Sequence, residues 1–243
     1  MTPPDHLVTL LISVAPAVAA GVVAGLIPHL RPPGERVRAH VEHLAAGVLL
    51  AVVAFSVSYE IRLLDHLAAA LGGLAAGAAF MVAMKTTLRR FEAANEDRSP
   101  VGFVAAAGID TLIDGVLIGA AFAVRPELAM LVLIGLGIEL FVLNMSVASE
   151  LLALRMRRWT VIALTTLIAC ALGAGAALGA FGLSESMPAF QTAALAFALA
   201  ALLYLVAEEL LLRGNDQENS PTTTTAFFVG FIALTAYIMV FEG

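Results

Sequence analysis

The stretch GIDTLIDGVLIG, residues 108–119, is the part of the sequence that decides the fold. It lies inside an apolar run from Val101 to Val124 and places Asp110 and Asp114 four residues apart. In a helix, that spacing puts both carboxylates on one face. The run is long enough to cross about 30 Å of hydrocarbon. The sequence therefore predicts a transmembrane helix with Asp114 close to its middle.

The composition of the whole chain agrees with a membrane protein. The chain has 243 residues, of which 60% are hydrophobic and 13% charged, which is typical of an integral membrane protein with the lipid bilayer as its partner. Its only cysteine, Cys170, excludes an intramolecular disulfide. Basic tracts and stacking aromatics are absent from the sequence, so we expect no nucleic-acid partner. The N-terminus lacks the basic region of a cleaved signal peptide, and we expect the first apolar run to be retained.

Eight apolar runs are long enough to span a bilayer, and they predict a single all-α polytopic domain over residues 1–243. The spans, numbered 1 to 8 in chain order, lie at about 7–29, 43–64, 67–88, 101–124, 128–154, 159–182, 189–212 and 224–242. The glycines and alanines of spans 3 and 6 predict close helix packing. The polar segment 214–225 reads as a flexible linker.

The basic residues predict the orientation of the bundle. With the N-terminus outside, two basic residues, Arg62 and Arg125, fall at outer ends. The other eleven flank the inner ends: Arg31, Arg36, Arg38, Lys85, Arg89, Arg90, Arg98, Arg155, Arg157, Arg158 and Arg213. Because cytoplasmic ends carry the excess of Lys and Arg, we predict a multi-pass protein of the cell (inner) membrane with both termini outside.

Three acids lie in the middle of predicted spans: Asp110 and Asp114 in span 4, and Glu139 in span 5. Each such residue costs about 2.5–3.5 kcal/mol on insertion scales. Neither apolar run contains a Lys or Arg to offset them, which leaves protonation or a bound cation. Because spans 4 and 5 run in opposite directions, Asp114 is level with Glu139, and Asp110 with Asn144. The five histidines lie at span edges or in loops.

Further acids near the span ends suggest a path across the membrane. Glu60 lies near the outer end of span 2, and Glu208 and Glu209 near the inner end of span 7. The alternative is that acids so close to the span ends, such as Glu60 and Glu150, only reach water. Instead of binding an ion, Asn144 could form a hydrogen bond to a neighbouring helix. Cys170 could be a small core residue instead of a ligand.

Several segments resemble the ZIP (Zrt/Irt-like) metal transporter family. In span 4, Asp110-Thr111-Leu112-Ile113-Asp114-Gly115 stands where the family has His-Asn-x-x-Asp/Glu-Gly. Gly137–Glu139 fits the first span 5 ligand, and Cys170–Gly173 is the nearest match in span 6. In span 7, Leu203–Leu210 is similar to the family's Tyr-x-x-x-x-Glu-Leu ending. In span 2, Gly47–Glu60 is similar to the second span of the family.

The resemblance implies an eight-helix carrier that moves a divalent metal ion inward by alternating access, with the ion (Zn, Mn or Fe) as substrate and no organic cofactor. Asp110, Asp114 and Glu139 would hold the ion. The second span 5 ligand falls on Leu143 unless Asn144 replaces it. The complete predicted ligand set is Asp110, Asp114, Glu139, Asn144, Cys170, Glu208 and Glu209. A set rich in carboxylates suits harder cations such as Mn²⁺ and still accepts Zn²⁺.

Two other classes of function use the same residues. One is a proton-linked carrier of a small solute that uses the acids as a relay. The other is a membrane scaffold or sensor with a degenerate site. We expect no enzyme, because the sequence lacks a nucleophile–base pair and a phosphate-binding loop. The small-residue spans, together with the resemblance, allow a homodimer.

Overall fold

The computed structural model describes residues 3–30, 34–94, 100–183, 187–210 and 220–241. Within these residues the chain is helical, and it contains no strand. Eight of the helices in the described ranges are long and apolar enough to cross a membrane. The prediction of an all-α, multi-pass membrane protein is therefore confirmed.

The eight spans begin and end close to the predicted positions, and five of them begin with proline. Proline is favoured at the first helical position because its fixed φ suits a helix and its missing N–H is not needed there. The spans are Pro3–Leu26 with a 3₁₀ turn Ile27–His29; Glu35–Ala51 with a π-helical segment Val52–Val57 and the helix Ser58–Leu63; Leu67–Ala94; Pro100–Val124; Pro126–Ala153; Arg158–Leu183; Pro188–Tyr204 with a π-helical segment Leu205–Leu210; and Pro221–Phe241.

The largest differences from the sequence prediction lie at the predicted inner ends. Span 2 begins at Glu35 rather than at residue 43. Span 8 begins at Pro221, so the prediction of a flexible linker over 214–225 is wrong for its last residues, whereas 214–219 lie outside the described residues. The Thr223 amide donates to the Ser220 carbonyl at 3.0 Å, and Thr225 Oγ1 donates to the Pro221 carbonyl at 2.8 Å. These bonds draw the polar residues into the first helical turn.

The helices form two groups. In the first group, span 6 packs against spans 1, 4 and 5, and span 5 packs against spans 1 and 4; spans 2, 3, 7 and 8 make the second group. The groups meet where span 2 packs on span 5 and where span 4 packs on span 7. At the first of these contacts a Cβ added to Gly135 would lie 2.7 Å from Leu49 Cγ, so the two helices touch closely.

Within the first group, spans 4 and 6 pack through a pair of Gly-x-x-x-Gly motifs. Gly115 and Gly119 of span 4 lie against the span 6 backbone, where a Cβ on Gly119 would be 2.6 Å from the Ala180 nitrogen. Gly175 and Gly179 meet span 4 in the same way. Small residues at this spacing let helix backbones approach closely in a membrane.

The second group uses the same device in two places. Gly47 of span 2 lies against the span 8 backbone, with a Cβ position 2.9 Å from the Phe231 nitrogen. Gly73 and Gly77 of span 3 lie against span 7. The packing role predicted for the glycines of spans 3 and 6 is thus confirmed at Gly73, Gly77, Gly175 and Gly179, whereas Gly72 has no described atom within 4 Å of its Cβ position.

Spans 4 and 5 form a helical hairpin joined by one residue. Span 4 ends at Val124, span 5 begins at Pro126, and Arg125 lies between them in an extended conformation (φ −155°, ψ 122°). The Arg125 amide still donates to the Ala121 carbonyl at 2.9 Å, and the Arg125 carbonyl accepts from the Ala129 amide at 3.2 Å. So short a turn fixes the register of the two helices relative to each other.

Candidate metal site between spans 4 and 5

The hairpin brings the three central acids together. Asp114 lies about 16 Å below the turn along span 4, and Glu139 about 21 Å below it along span 5, at about 1.5 Å per residue. Asp110 follows one turn further down span 4. Asp110, Asp114 and Glu139 each offer one carboxylate oxygen, and these three oxygens lie within 4.8 Å of one another. The predicted meeting of the three side chains is confirmed, whereas the predicted register is wrong: the one-residue turn places Glu139 level with Asp110 and not with Asp114.

The three acids are shielded from solvent to different degrees. Asp114 and Glu139 are each 7% exposed, whereas Asp110 is half-buried. Spans 4 and 5 contain no Lys or Arg between residues 101 and 154 other than Arg125 in the turn. Like charges so close in a low-dielectric environment repel one another strongly. A proton or a cation bound among the oxygens would relieve that repulsion.

Neighbouring residues explain why the acids point towards span 5. Gly115, next to Asp114, lies against the span 6 backbone, so span 6 occupies the adjacent face of span 4. Thr111 is buried, but its hydroxyl donates to the Ala107 carbonyl of its own helix at 2.9 Å. The Thr111 hydroxyl therefore has its hydrogen-bond partner within span 4. Asp110 and Asp114 are the side chains of this helix that meet Glu139.

Glu139 lies at the boundary between the two helix groups. It follows Gly135 by one helical turn, and residues four apart share a face. Gly135 contacts Leu49 of span 2, in the second group. The carboxylates therefore lie at the edge of the first group, beside the surface along which the groups meet.

Asn144, predicted either as a ligand or as a hydrogen-bonding residue, ties three spans together. Its side chain is 0% exposed, and its Nδ2 donates to the Gly21 carbonyl of span 1 and to the Thr165 carbonyl of span 6, both at 3.1 Å. The Oδ1 of Asn144 is buried and accepts no hydrogen bond. The interhelical hydrogen bonds predicted as its alternative role are present, and a role as ligand stays a prediction.

Cys170 is not brought to the carboxylates. It is exposed and lines an apolar cavity of about 560 Å³ together with Gly108 and Leu112 of span 4. At 100° per residue, Gly108 and Leu112 lie on the opposite side of span 4 from Asp110 and Asp114. The thiol therefore faces away from the three acids.

The predicted inner acids lie in the π-helical segment of span 7. Glu208 is exposed, and this segment contacts span 2. The side chain of Glu209 lies outside the described residues. The part proposed for these two acids in ion release stays a prediction.

Glu60 is largely buried beside a basic side chain, whereas the alternative interpretation for acids at span ends has them reach water. It is 8% exposed, and its Oε2 lies 3.4 Å from Nε of Arg125. The sequence predicts that both residues lie on the same side of the membrane, because the predicted orientation places Glu60 and Arg125 at outer ends of their spans. The pairing itself depends on how the second group packs against the hairpin, which the sequence does not reveal.

Two buried polar residues of span 2 were missed by sequence reasoning. Glu42 is buried and lies 3.9 Å from the Arg38 guanidinium. His43 is buried, and its Nδ1 bonds the Ala39 carbonyl at 2.8 Å. Residues 35–42 are too polar to extend the apolar run that begins at residue 43, and only the helical spacing of Ala39, Glu42 and Ala46 could have revealed their buried face.

Comparison with known proteins adds no assignment to this geometry: no family model and no curated protein matches the chain.

Proposed function

We propose that the protein is a carrier of divalent metal cations and that the ion, as substrate, binds between spans 4 and 5. The observation that carries the proposal is the meeting of Asp110, Asp114 and Glu139 within 4.8 Å in the middle of a membrane-spanning bundle. Ionisable residues in such positions are rare and costly, and they generally mark ion or proton pathways. The resemblance of spans 4, 5 and 7 to the ZIP family supports the same function.

The spacing of the three oxygens suits a single ion. Oxygen ligands lie about 2.0–2.6 Å from Zn²⁺, Mg²⁺ or Ca²⁺, so two ligands on opposite sides of one ion are about 4–5 Å apart. Movements of a few tenths of an ångström would let all three carboxylates reach one ion. Three carboxylates without sulfur favour the harder end of the Zn, Mn and Fe class.

The charges suggest a role for protons. Three ionised carboxylates carry three negative charges and a divalent ion two positive ones, so the loaded site is neutral when one carboxyl keeps its proton. An empty site reaches neutrality only with further protons. Ion binding would therefore release protons, as it does wherever ligands must deprotonate to coordinate a metal.

The two helix groups supply a route for alternating access. The carboxylates lie on the first group beside its boundary with the second, where span 5 meets span 2 through Gly135 and Leu49. A rigid-body displacement of one group against the other would expose the ion first to one side of the membrane and then to the other. The resemblance to the ZIP family favours movement of the ion towards the cytoplasm.

The test is uptake of radiolabelled Mn²⁺ or Zn²⁺ by proteoliposomes that contain the purified protein. We expect Asp114→Asn and Glu139→Gln to reduce uptake by at least about tenfold, because the loss of a ligand costs at least as much as the loss of an outer-shell partner. Glu127→Gln is the matched control, since Glu127 is an exposed acid in the first turn of span 5.

The alternatives give different results in the same vesicles. Equal uptake by wild type and Asp114→Asn would remove the central site from the proposal. Transport that depends on a pH gradient but not on metal would identify a proton-linked carrier of another solute. Wild-type protein that binds no metal, together with full tolerance of Asp110→Asn and Glu139→Gln, would indicate a scaffold or sensor.

A further inference from the structure

The ion pair between Glu60 and Arg125 joins the two helix groups. Glu60 lies near the end of span 2, in the second group, and Arg125 is the single residue between spans 4 and 5, in the first. Their Oε2 and Nε atoms are 3.4 Å apart, so the contact crosses the boundary at one end of the bundle. We call this the Glu60 end; under the predicted orientation it is the outer end.

Arg125 acts on the same hairpin that carries the candidate site. Asp114 lies in the helix that precedes Arg125, and Glu139 lies in the helix that follows it. A displacement of Arg125 would therefore move both helices that carry the three carboxylates. No other described residue connects spans 4 and 5 at this turn.

The burial of Glu60 makes the contact sensitive to the position of the groups. The Glu60 side chain is 11% exposed and that of Arg125 is 35% exposed. A carboxylate that loses its partner while buried is strongly destabilised, so separation of the groups must also bring Glu60 to water. The pair thus favours the closed arrangement at this end, and opening requires Glu60 to be rehydrated.

The backbone just before Glu60 is irregular in a way that permits movement. Residues Val52–Val57 form a π-helical segment, and the Ser58 hydroxyl donates to the Val53 carbonyl, five residues back, at 2.6 Å. π-helical turns inside α-helices are frequent at functional sites. This segment contacts span 5 as well as span 7, so it lies at the boundary that the ion pair closes.

We propose that the Glu60–Arg125 pair is a latch that holds the two helix groups together at the Glu60 end and must open when that end opens. The latch rests on the two-group movement of the proposed function but not on the identity of the cargo. It gives Arg125 a part in conformational change that is separate from ion binding.

The experiment measures the separation of the groups directly, without metal. Spin labels are attached to Leu67→Cys in the second group and Leu178→Cys in the first, both exposed positions towards the Glu60 end, in a Cys170→Ala background. Distances are measured by double electron–electron resonance in lipid nanodiscs with a chelator present. Glu60→Gln and Arg125→Gln should each shift the ratio of closed to open arrangements by roughly fivefold, the low end for coupled sites because the pair is partly exposed.

Two further variants keep the test decisive if a single substitution fails to fold. The charge exchange Glu60→Arg with Arg125→Glu should restore the wild-type distance distribution. The pair Glu60→Cys with Arg125→Cys should give one narrow closed distribution when oxidised and, because the ion pair is absent, the shifted distribution of the glutamine variants when reduced. Glu127→Gln, which removes an exposed acid at the same end, should leave the distribution unchanged.

An unchanged distribution in the glutamine variants, or an oxidised cysteine pair that still opens, would overturn the latch. These outcomes are distinct from failure of the proposed function. If the variants shift the distances but the wild type carries no metal, the latch stands and the cargo is wrong. If metal uptake depends on Asp114 but the distances do not respond to Glu60, the carrier stands without the latch.

Discussion

The two helix groups differ in the regularity of their backbones. In the first group, spans 4, 5 and 6 are α-helical from end to end. Spans 4 and 5 carry the three acids. In the second group, spans 2 and 7 each contain a π-helical segment, and the segment of span 2 touches span 5. The regular helices of the first group hold the three carboxylates at fixed distances, whereas the second group supplies the surface against which the first would move in the proposed carrier.

The largest expected effect tests the rigidity of the first group. Gly119→Leu places a side chain against the span 6 backbone, where a Cβ alone would lie 2.6 Å from the Ala180 nitrogen. We expect a loss of about 3 kcal/mol in the free energy of unfolding, measured by denaturant unfolding in detergent micelles. The control is Gly108→Leu on the same helix, where no described atom lies within 4 Å; its effect should stay within about 0.5 kcal/mol. Equal losses in the two variants would show that spans 4 and 6 do not pack as described.

The hydrogen bonds of Asn144 give the next largest effect. Asn144→Leu removes the two bonds to the Gly21 and Thr165 carbonyls, and we expect a loss of about 1 kcal/mol in the free energy of unfolding, because interhelical bonds in membranes are individually weak. Ser149→Ala is the control, since its hydroxyl bonds only the Met145 carbonyl of its own helix at 2.8 Å. If Asn144→Leu left stability unchanged but reduced metal uptake like Asp114→Asn, Asn144 would be a ligand rather than a tie.

The smallest effect probes the irregular backbone of the second group. Ser58→Ala removes the hydroxyl that bonds the Val53 carbonyl. We expect the free energy of local opening to fall by about 0.5 kcal/mol, so that amide hydrogens of residues 53–58 exchange about twice as fast. Hydrogen–deuterium exchange followed by mass spectrometry measures this change. In span 3, Thr86→Ala removes an ordinary bond to the Val82 carbonyl four residues back, and it should change exchange less. The reverse order would show that the π-helical segment does not depend on Ser58.

Hydropathy and helical spacing were sufficient to predict the eight spans and the meeting of the three central acids. Asp110 and Asp114 share a face because they are four residues apart, and the short turn at Arg125 makes spans 4 and 5 antiparallel neighbours, which places Glu139 beside them. Both inferences use local geometry only. For that reason the predicted meeting of the three acids did not require knowledge of how the other six spans pack.

Features that depend on packing between distant helices were not predictable. Glu42 lies in a polar segment that hydropathy assigns to water, and His43 lies at the predicted edge of span 2, yet both are buried. Cys170 lies on an apolar helix whose faces look alike in the sequence, and the structure shows that it faces away from the acids. No local pattern in residues 52–57 marks the π-helical segment of span 2.

The single-residue connection at Arg125 has a consequence for the energetics of a carrier. In the proposed carrier, a hairpin so tightly joined would move as one piece, so the three carboxylates would keep their spacing while access changes from one side of the membrane to the other. The affinity for the ion would then be nearly equal whether the site is open to one side of the membrane or to the other. In such a carrier the direction of net flux is set by the concentrations of ion and proton in the two compartments.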